Sequence, residues 1–166
     1  MAKRVVPILE ACMACGLCQI NCLVAHSESK DVIKAFKSEN PKPLARIRVE
    51  RRGALSFALS CRHCEEPICV FSCLTGAMQK DPETGLVSAD VEKCVGCWTC
   101  VMVCPFSAVV PDVDAKKVFK CDLCPDLDTP ACVDGCPNHA LMVVEYDDEG
   151  QEEPRLVMLT AGTSGQ

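Results

Sequence analysis

Apolar residues in this chain come in short runs, each ended by proline, glycine or charge, so the pattern predicts many small elements rather than a few long ones. Residues 44–49 and 54–59 read as two extended segments broken at Arg52-Gly53, and residues 107–110 and 140–145 read as β-like runs. The helical signals are equally brief. Residues 97–104 carry a helical turn stopped by Pro105, and residues 130–135 carry another that ends at Cys136-Pro137. Residues 26–43 stand apart as a helix opened by Ser29 or Asp31 and closed at Asn40-Pro41. The segment Asp81-Pro82-Glu83-Thr84-Gly85 has the chemistry of a hairpin turn. After Asp147 a polar turn leads to one strand over 155–159, and residues 160–166 read as a loose end.

The longest apolar stretches, 141–144 and 156–160, fall far short of the roughly 20 residues that span a bilayer, so no membrane insertion is expected. Residues 1–16 hold no long apolar region before a small-residue cleavage site and no twin-arginine pair, which points to the cytoplasm.

Composition changes the picture. Hydrophobic residues make up 49% of the 166, but sixteen of these are cysteine, and aromatics number only five Phe, one Trp and one Tyr. So small a chain, with so little aromatic bulk, struggles to bury enough apolar surface, and folding is expected to depend on an inorganic cofactor. The net charge is -6. Basic residues gather in 34–52 and acidic ones in 145–153; these are solvated segments, or a basic face and an acidic tail that steer docking. Without basic–aromatic interleaving, the acidic balance excludes nucleic acid as a partner.

The cysteines form an internal repeat of four quartets: Cys12/Cys15/Cys18/Cys22, Cys61/Cys64/Cys69/Cys73, Cys94/Cys97/Cys100/Cys104 and Cys121/Cys124/Cys132/Cys136. The first and third read C-x2-C-x2-C-x3-C, the spacing by which bacterial ferredoxins hold cubane iron–sulfur clusters. Three thiolates on one tight loop wrap a cubane, and the fourth points to a neighbouring cluster in the two-cluster pattern. Small loop residues such as Ala14, Gly16 and Gly96 suit close backbone approach. Sixteen thiolates at four per cluster give four [4Fe–4S] clusters. A strand, a cysteine loop, a short helix and a second strand make up each repeat.

Other uses of cysteine fit less well. Zinc sites use cysteine pairs, but a third and fourth cysteine at x2 and x3 is not their spacing. Disulfides need an oxidising compartment, and redox C-x-x-C catalysis needs one reactive pair. Trp98, inside the third loop, either packs over a cluster or fills the core. His63 is either a donor beside a cluster or a packed histidine, and His26 and His139 have no distinguishing context.

With the motifs placed, the chain resembles the four-cluster iron–sulfur subunits of the dimethyl sulfoxide reductase type over about residues 8–145. The resemblance is carried by Ser60-Cys-Arg-His-Cys-Glu-Glu-Pro67, Cys94-Val-Gly-Cys-Trp-Thr-Cys100 and Lys120-Cys-Asp-Leu-Cys-Pro125. It is carried also by C-x2-C-x4-C-x3-C in the second quartet and C-x2-C-x7-C-x3-C in the fourth. Cytoplasmic members of that family serve carbon monoxide dehydrogenase, hydrogenase, formate dehydrogenase and tungsten aldehyde oxidoreductase. The chain looks most like the electron-transfer subunit of the last. Cys22 and Cys73 precede leucine where Cys104 and Cys136 precede proline, a departure that bears on local backbone geometry.

The resemblance implies an α+β fold of two bacterial-ferredoxin-like modules with short helices and small β-sheets, each holding two clusters. Residues 54–119 would form the inner module, and residues 1–53 with 120–166 the outer one. Ligation would be cross-paired: Cys61, Cys64 and Cys69 with Cys104; Cys94, Cys97 and Cys100 with Cys73; Cys12, Cys15 and Cys18 with Cys136; Cys121, Cys124 and Cys132 with Cys22. The chain would not be an enzyme itself. It would carry single electrons from a catalytic subunit of tungsten or molybdenum pterin type to a flavin subunit, or to another copy joined end to end. A free diffusible polyferredoxin is the alternative; an iron–sulfur sensor is a third reading, with no DNA-binding element in its favour.

Overall fold

Short elements joined by tight turns are what the computed structural model shows, and it describes residues 2–146 and 155–156. The acidic run over 147–153, the end of the strand expected over 155–159 and the tail after it lie outside the described residues.

Strand β1 (Ala2–Pro7) leads through a 3-10 turn at Leu9–Ala11 into the first cysteine loop and α1 (Leu17–Ala25). Helix α2 (Val32–Lys37) follows, then the hairpin of β2 (Arg48–Arg52) and β3 (Leu55–Leu59). Next come α3 (Ile68–Phe71) with β4 (Met78–Lys80) and β5 (Val87–Ala89), then α4 (Thr99–Val103) with β6 (Val110–Asp112) and β7 (Lys117–Phe119). The chain ends with α5 (Ala131–Asp134), β8 (Leu141–Tyr146) and β9 (Arg155–Leu156). Small helices and small antiparallel sheets make this an α+β fold, as expected.

Strand β1 pairs antiparallel with β8, Val5 opposite Val143 and Pro7 opposite Leu141, so the two ends of the described chain share one sheet, with β9 on its other side. The remaining sheets are the two-stranded hairpins β2–β3, β4–β5 and β6–β7. Helix α1 packs on α5, and α3 on α4. The β2–β3 hairpin crosses residues 53–54, and Ala58 of β3 is buried with Val5, Ile47 and Leu141.

Three differences from the sequence pattern trace to polar bonds, two of them to cysteine sulfur. The run expected over 44–49 is not yet strand at its start, because the Arg46 N–H donates to Cys22 Sγ at 3.2 Å and not to a β-ladder. The run over 107–110 begins as a turn, with Ser107 at φ 48° and the Ala108 N–H donating to Cys104 Sγ at 3.4 Å. Helix α2 occupies only the middle of 26–43. Asp31 caps it by accepting the Lys34 N–H at 2.9 Å, while Ser29 bonds Glu39 across the far end. Apolar periodicity carries no trace of thiolate-directed or loop-closing bonds of this kind.

Cysteines sit inside the core. One apolar cluster joins Val5, Ile47, Ala58 and Leu141 to Cys18, Cys22 and Cys132. A second joins Met78, Val87, Val109 and Val118 to Cys100. A third joins Ala108 to Cys61 and Cys121. Among the described residues, no helix is long and apolar enough to cross a membrane.

Candidate metal centres

The four cysteine loops share one backbone device. The residue before the second cysteine takes a left-handed conformation in every loop: Ala14 at φ 55°, His63 at 46°, Gly96 at 71° and Leu123 at 63°. In the first and third loops the residue after the second cysteine does so as well, Gly16 at 78° and Trp98 at 61°. The reversals curl each loop around its thiols, and then α1 and α4 begin directly.

The last cysteine of each quartet accepts a backbone N–H. Ala140 donates to Cys136 Sγ at 3.2 Å, Ala108 to Cys104 at 3.4 Å and Met78 to Cys73 at 3.4 Å. In these three, a left-handed residue three positions after the cysteine (His139, Ser107, Gly76) turns the chain back toward the sulfur. Cys22 lies inside α1, which runs on past it, so its donor comes from afar as Arg46.

Thiols from different motifs lie near one another. Burial pushes the Cys18 thiol up to about 11, and Cys15, Cys136 and Cys12 add to the rise. The same four cysteines line a small, almost wholly apolar cavity. Burial raises Cys69 too; Lys120 opposes it, and Cys61, Cys104 and Cys64 reinforce it. Cys61, Cys64, Cys69 and Cys104 line a second apolar cavity. Cys100 rises to about 11 through burial and then Cys73, Cys94 and Cys97. Cys132 is raised by burial and then by Cys121, Cys22, Cys124 and Cys18. These neighbourhoods are called the Cys18, Cys69, Cys100 and Cys132 sites below.

Cys18, Cys22 and Cys132 belong to one apolar cluster, and Cys61 and Cys121 to another. Cys18 acts on Cys132, linking the Cys18 and Cys132 sites. Burial pushes Cys121 up to about 12, and Cys61 contributes, linking the Cys132 and Cys69 sites. Helices α3 and α4 pack together; Cys104, just after α4, lines the cavity that holds Cys69, and Cys73, just after α3, acts on Cys100. Cys15 and Cys97 are the two exposed cysteines of the sixteen, and they belong to the first and last sites of this row. Exposed apolar side chains lie along the chain beside each: Leu9, Met13 and Leu17 near Cys15, and Val95, Leu74 and Met102 at the other end.

The donor set fits an iron–sulfur cluster. Thiols only, with backbone N–H groups aimed at sulfur and an apolar lining, are what an anionic cubane requires. Trp98 is half-buried against the Met78 and Val87 cluster that includes Cys100.

Sequence reasoning missed His26. Its Nδ1 lies 3.7 Å from Cys22 Sγ, and its Nε2 meets Asp122 at 3.1 Å; Asp122 also pairs with Arg46. Burial alone would lower the imidazole, but Asp122 and Cys22 carry it up to about 9, while His26 and Arg46 hold Asp122 well below the usual carboxylate range against its burial. The i, i+4 spacing of Cys22 in α1 and His26 at its C-terminal cap was the available signal; Asp122, ninety-six positions away in sequence from His26, left none. His26, Asp122 and Cys124 could together hold a single ion, but Cys124 is part of the Cys132 site. His63 is buried. It accepts the Val87 N–H on Nδ1 at 3.1 Å, and burial, Lys120 and Arg4 lower it to about 3, so it is a neutral imidazole.

A thiol-only, multi-site iron–sulfur protein is the class defined by this geometry. Residues 54–146 match the 4Fe-4S dicluster domain, and the chain belongs to that family. It is 36% identical over 154 residues to an iron-sulfur protein of Rhodospirillum rubrum, covering 82% of this chain and 78% of that one. It is 35% identical over 162 residues to the electron transport protein HydN of Escherichia coli K12, covering 87% and 89%. Over 106 residues it is 41% identical to a sulfite dehydrogenase subunit of Allochromatium vinosum, covering 58% of this chain and 44% of that one.

Proposed function

We propose that the chain is an electron-transfer subunit holding four [4Fe–4S] clusters, one at each of the Cys18, Cys132, Cys69 and Cys100 sites, in that order. The observation that supports this reading is that two apolar cavities are each lined by four thiols from two motifs, Cys12, Cys15, Cys18 and Cys136 in one and Cys61, Cys64, Cys69 and Cys104 in the other. When bound, such clusters supply single-electron storage. The chain's own residues hold them in a row, exclude water with apolar linings, and donate backbone N–H groups to the anionic sulfurs. Trp98 shields the Cys100 site on this reading.

The sites fall into two ferredoxin-like modules. Residues 1–53 with 120–166 form the outer one, supported by the β1–β8 pairing and the α1–α5 packing. Residues 54–119 form the inner one, supported by the α3–α4 packing, with the β2–β3 hairpin bridging the two.

The partner is a catalytic oxidoreductase subunit in the cytoplasm, of tungsten or molybdenum pterin type and most closely a tungsten aldehyde oxidoreductase. A flavin subunit or another copy of the chain serves the opposite end. The likeness to a sulfite dehydrogenase subunit supports a catalytic partner in general. Likeness to an electron transport protein over most of both chains supports electron carriage and is compatible with the second reading, a free polyferredoxin. Elemental analysis of the native complex, purified anaerobically, separates them. Tungsten with iron is expected; nickel or molybdenum would keep an oxidoreductase partner but move it from the tungsten enzyme to hydrogenase, carbon monoxide dehydrogenase or formate dehydrogenase. Iron alone with no bound protein would establish the free ferredoxin.

A further inference from the structure

Lys120 is 3% exposed, which is rare for a lysine. Among the described residues its hydrogen-bond partner is the Val87 carbonyl, and no carboxylate pairs with it. A buried ammonium satisfied by one neutral carbonyl is costly unless a negative charge lies nearby. The cavity that Lys120 lines is the one where Cys61, Cys64, Cys69 and Cys104 converge. From the opposite side, His63 accepts the Val87 N–H, so Val87 is clamped between a neutral imidazole and a cation, and the ammonium is fixed at the cavity wall.

The other sites differ. Burial and the thiols of Cys73, Cys94 and Cys97 are the largest influences on Cys100, with no cation among them. The nearby Lys117 is only half-buried, and donates to the backbone carbonyls of Val91 and Cys94. Cys18 is influenced by its fellow thiols. At the Cys132 site the charges of Asp122 and Arg46 act on Cys124 in opposite senses.

We infer that Lys120 is a positioning residue that raises the reduction potential of the cluster at the Cys69 site. The inference rests on the cluster-binding reading above. Its basis is Coulombic: adding an electron makes the cluster more negative, and a fixed cation in a low-dielectric wall favours the more negative state. Arg4 adds in the same sense, since its charge acts on Cys64 and on His63.

The test is a redox titration of the anaerobically purified holoprotein followed by electron paramagnetic resonance, with iron determined on each sample. In Lys120→Met and in Lys120→Gln, which retains a donor for the Val87 carbonyl, one potential of the four falls. The expected change is about tenfold in that cluster's reduction equilibrium, or about 59 mV. Lys120→Arg keeps all four close to native. Unchanged potentials, an equal shift of all four, or a fall in Lys120→Arg as large as in Lys120→Met would overturn the inference. So would loss of iron from any of the three variants, which would make Lys120 a structural residue. Native protein lacking four irons per site would instead overturn the cluster reading itself.

Discussion

At the residue scale, the left-handed positions are the clearest sign that something outside the polypeptide shapes it. Alanine, histidine, glycine and leucine occupy one equivalent loop position, all at positive φ. For the three with a Cβ this costs roughly 1–2 kcal/mol each. Strain repeated at one place in every repeat marks a constraint shared by the loops. Of the two glycines at positive φ in the first and third loops, Gly96 has the tighter surroundings: an added Cβ there would lie 2.5 Å from the Lys116 carbonyl oxygen, whereas at Gly16 it would meet nothing within 4 Å. Gly96→Ala should therefore destabilise the holoprotein by about 3 kcal/mol and release iron from the Cys100 site. Gly16→Ala should cost only about 1 kcal/mol, the conformational part alone. Thermal denaturation with iron analysis checks the order of the two; equal losses would mean that the Lys116 contact is unimportant. The cysteine spacing was legible because ligand geometry dictates it. Positive φ at His63 and Leu123, and the contact of His26 with Asp122, were not, since neither residue type nor local sequence announces them.

At the element scale, the boundaries are set by polar closures that hydrophobic pattern does not reveal. The segment around α2 shows how. Its apolar residues Val32, Ile33 and Phe36 are exposed, so burial fixes little beyond Ala35. Asp31 caps the helix start, and Glu39 gathers the Ser29 hydroxyl, the Ser29 N–H at 2.9 Å and the Glu28 N–H at 3.2 Å. The Ser29 bonds hold the Glu39 carboxyl below its ordinary range. A carboxylate depressed in the folded state stabilises above its unfolded pKa, and loses that contribution as pH falls toward the folded value. Glu39→Gln should thus lower the melting temperature at pH 7, and the gap to native should close as the pH drops below about 4. A gap that stays constant over that range would assign the effect to packing. The positions of α4, α5 and the 81–85 turn were readable from proline and glycine. Where 44–49 and 107–110 begin as strand was not, because the Arg46 and Ala108 N–H groups are diverted to sulfur.

At the scale of the whole molecule, the core is as much thiol as hydrocarbon, and this couples metal to fold. Each apolar cluster contains cysteines, and among the described residues the largest fully buried side chains include no Phe, Trp or Tyr. Removing the clusters would leave buried thiols lining empty space, so iron chelation should abolish cooperative unfolding by circular dichroism. A sharper question is whether the two pairs of sites stand or fall together. Val5, 1% exposed on β1, packs with Cys18, Cys22 and Cys132, ligands proposed for the two outer sites, and its strand is the partner of β8. The inner sites pack around Met78, Val87, Val109 and Val118, with Cys61 and Cys121 at the seam. Val5→Asp buries an unpaired carboxylate in the outer cluster, a cost of several kcal/mol. If the modules are separate folding units, this variant should keep the Cys69 and Cys100 sites and lose the other two, so that iron falls to about half and the magnetic coupling of the inner pair survives. If Cys61 and Cys121 bind the halves into one cooperative unit, iron should fall to near zero. Retention of all iron would show that β1 is dispensable and that the outer sites are organised by α1 and α5 alone.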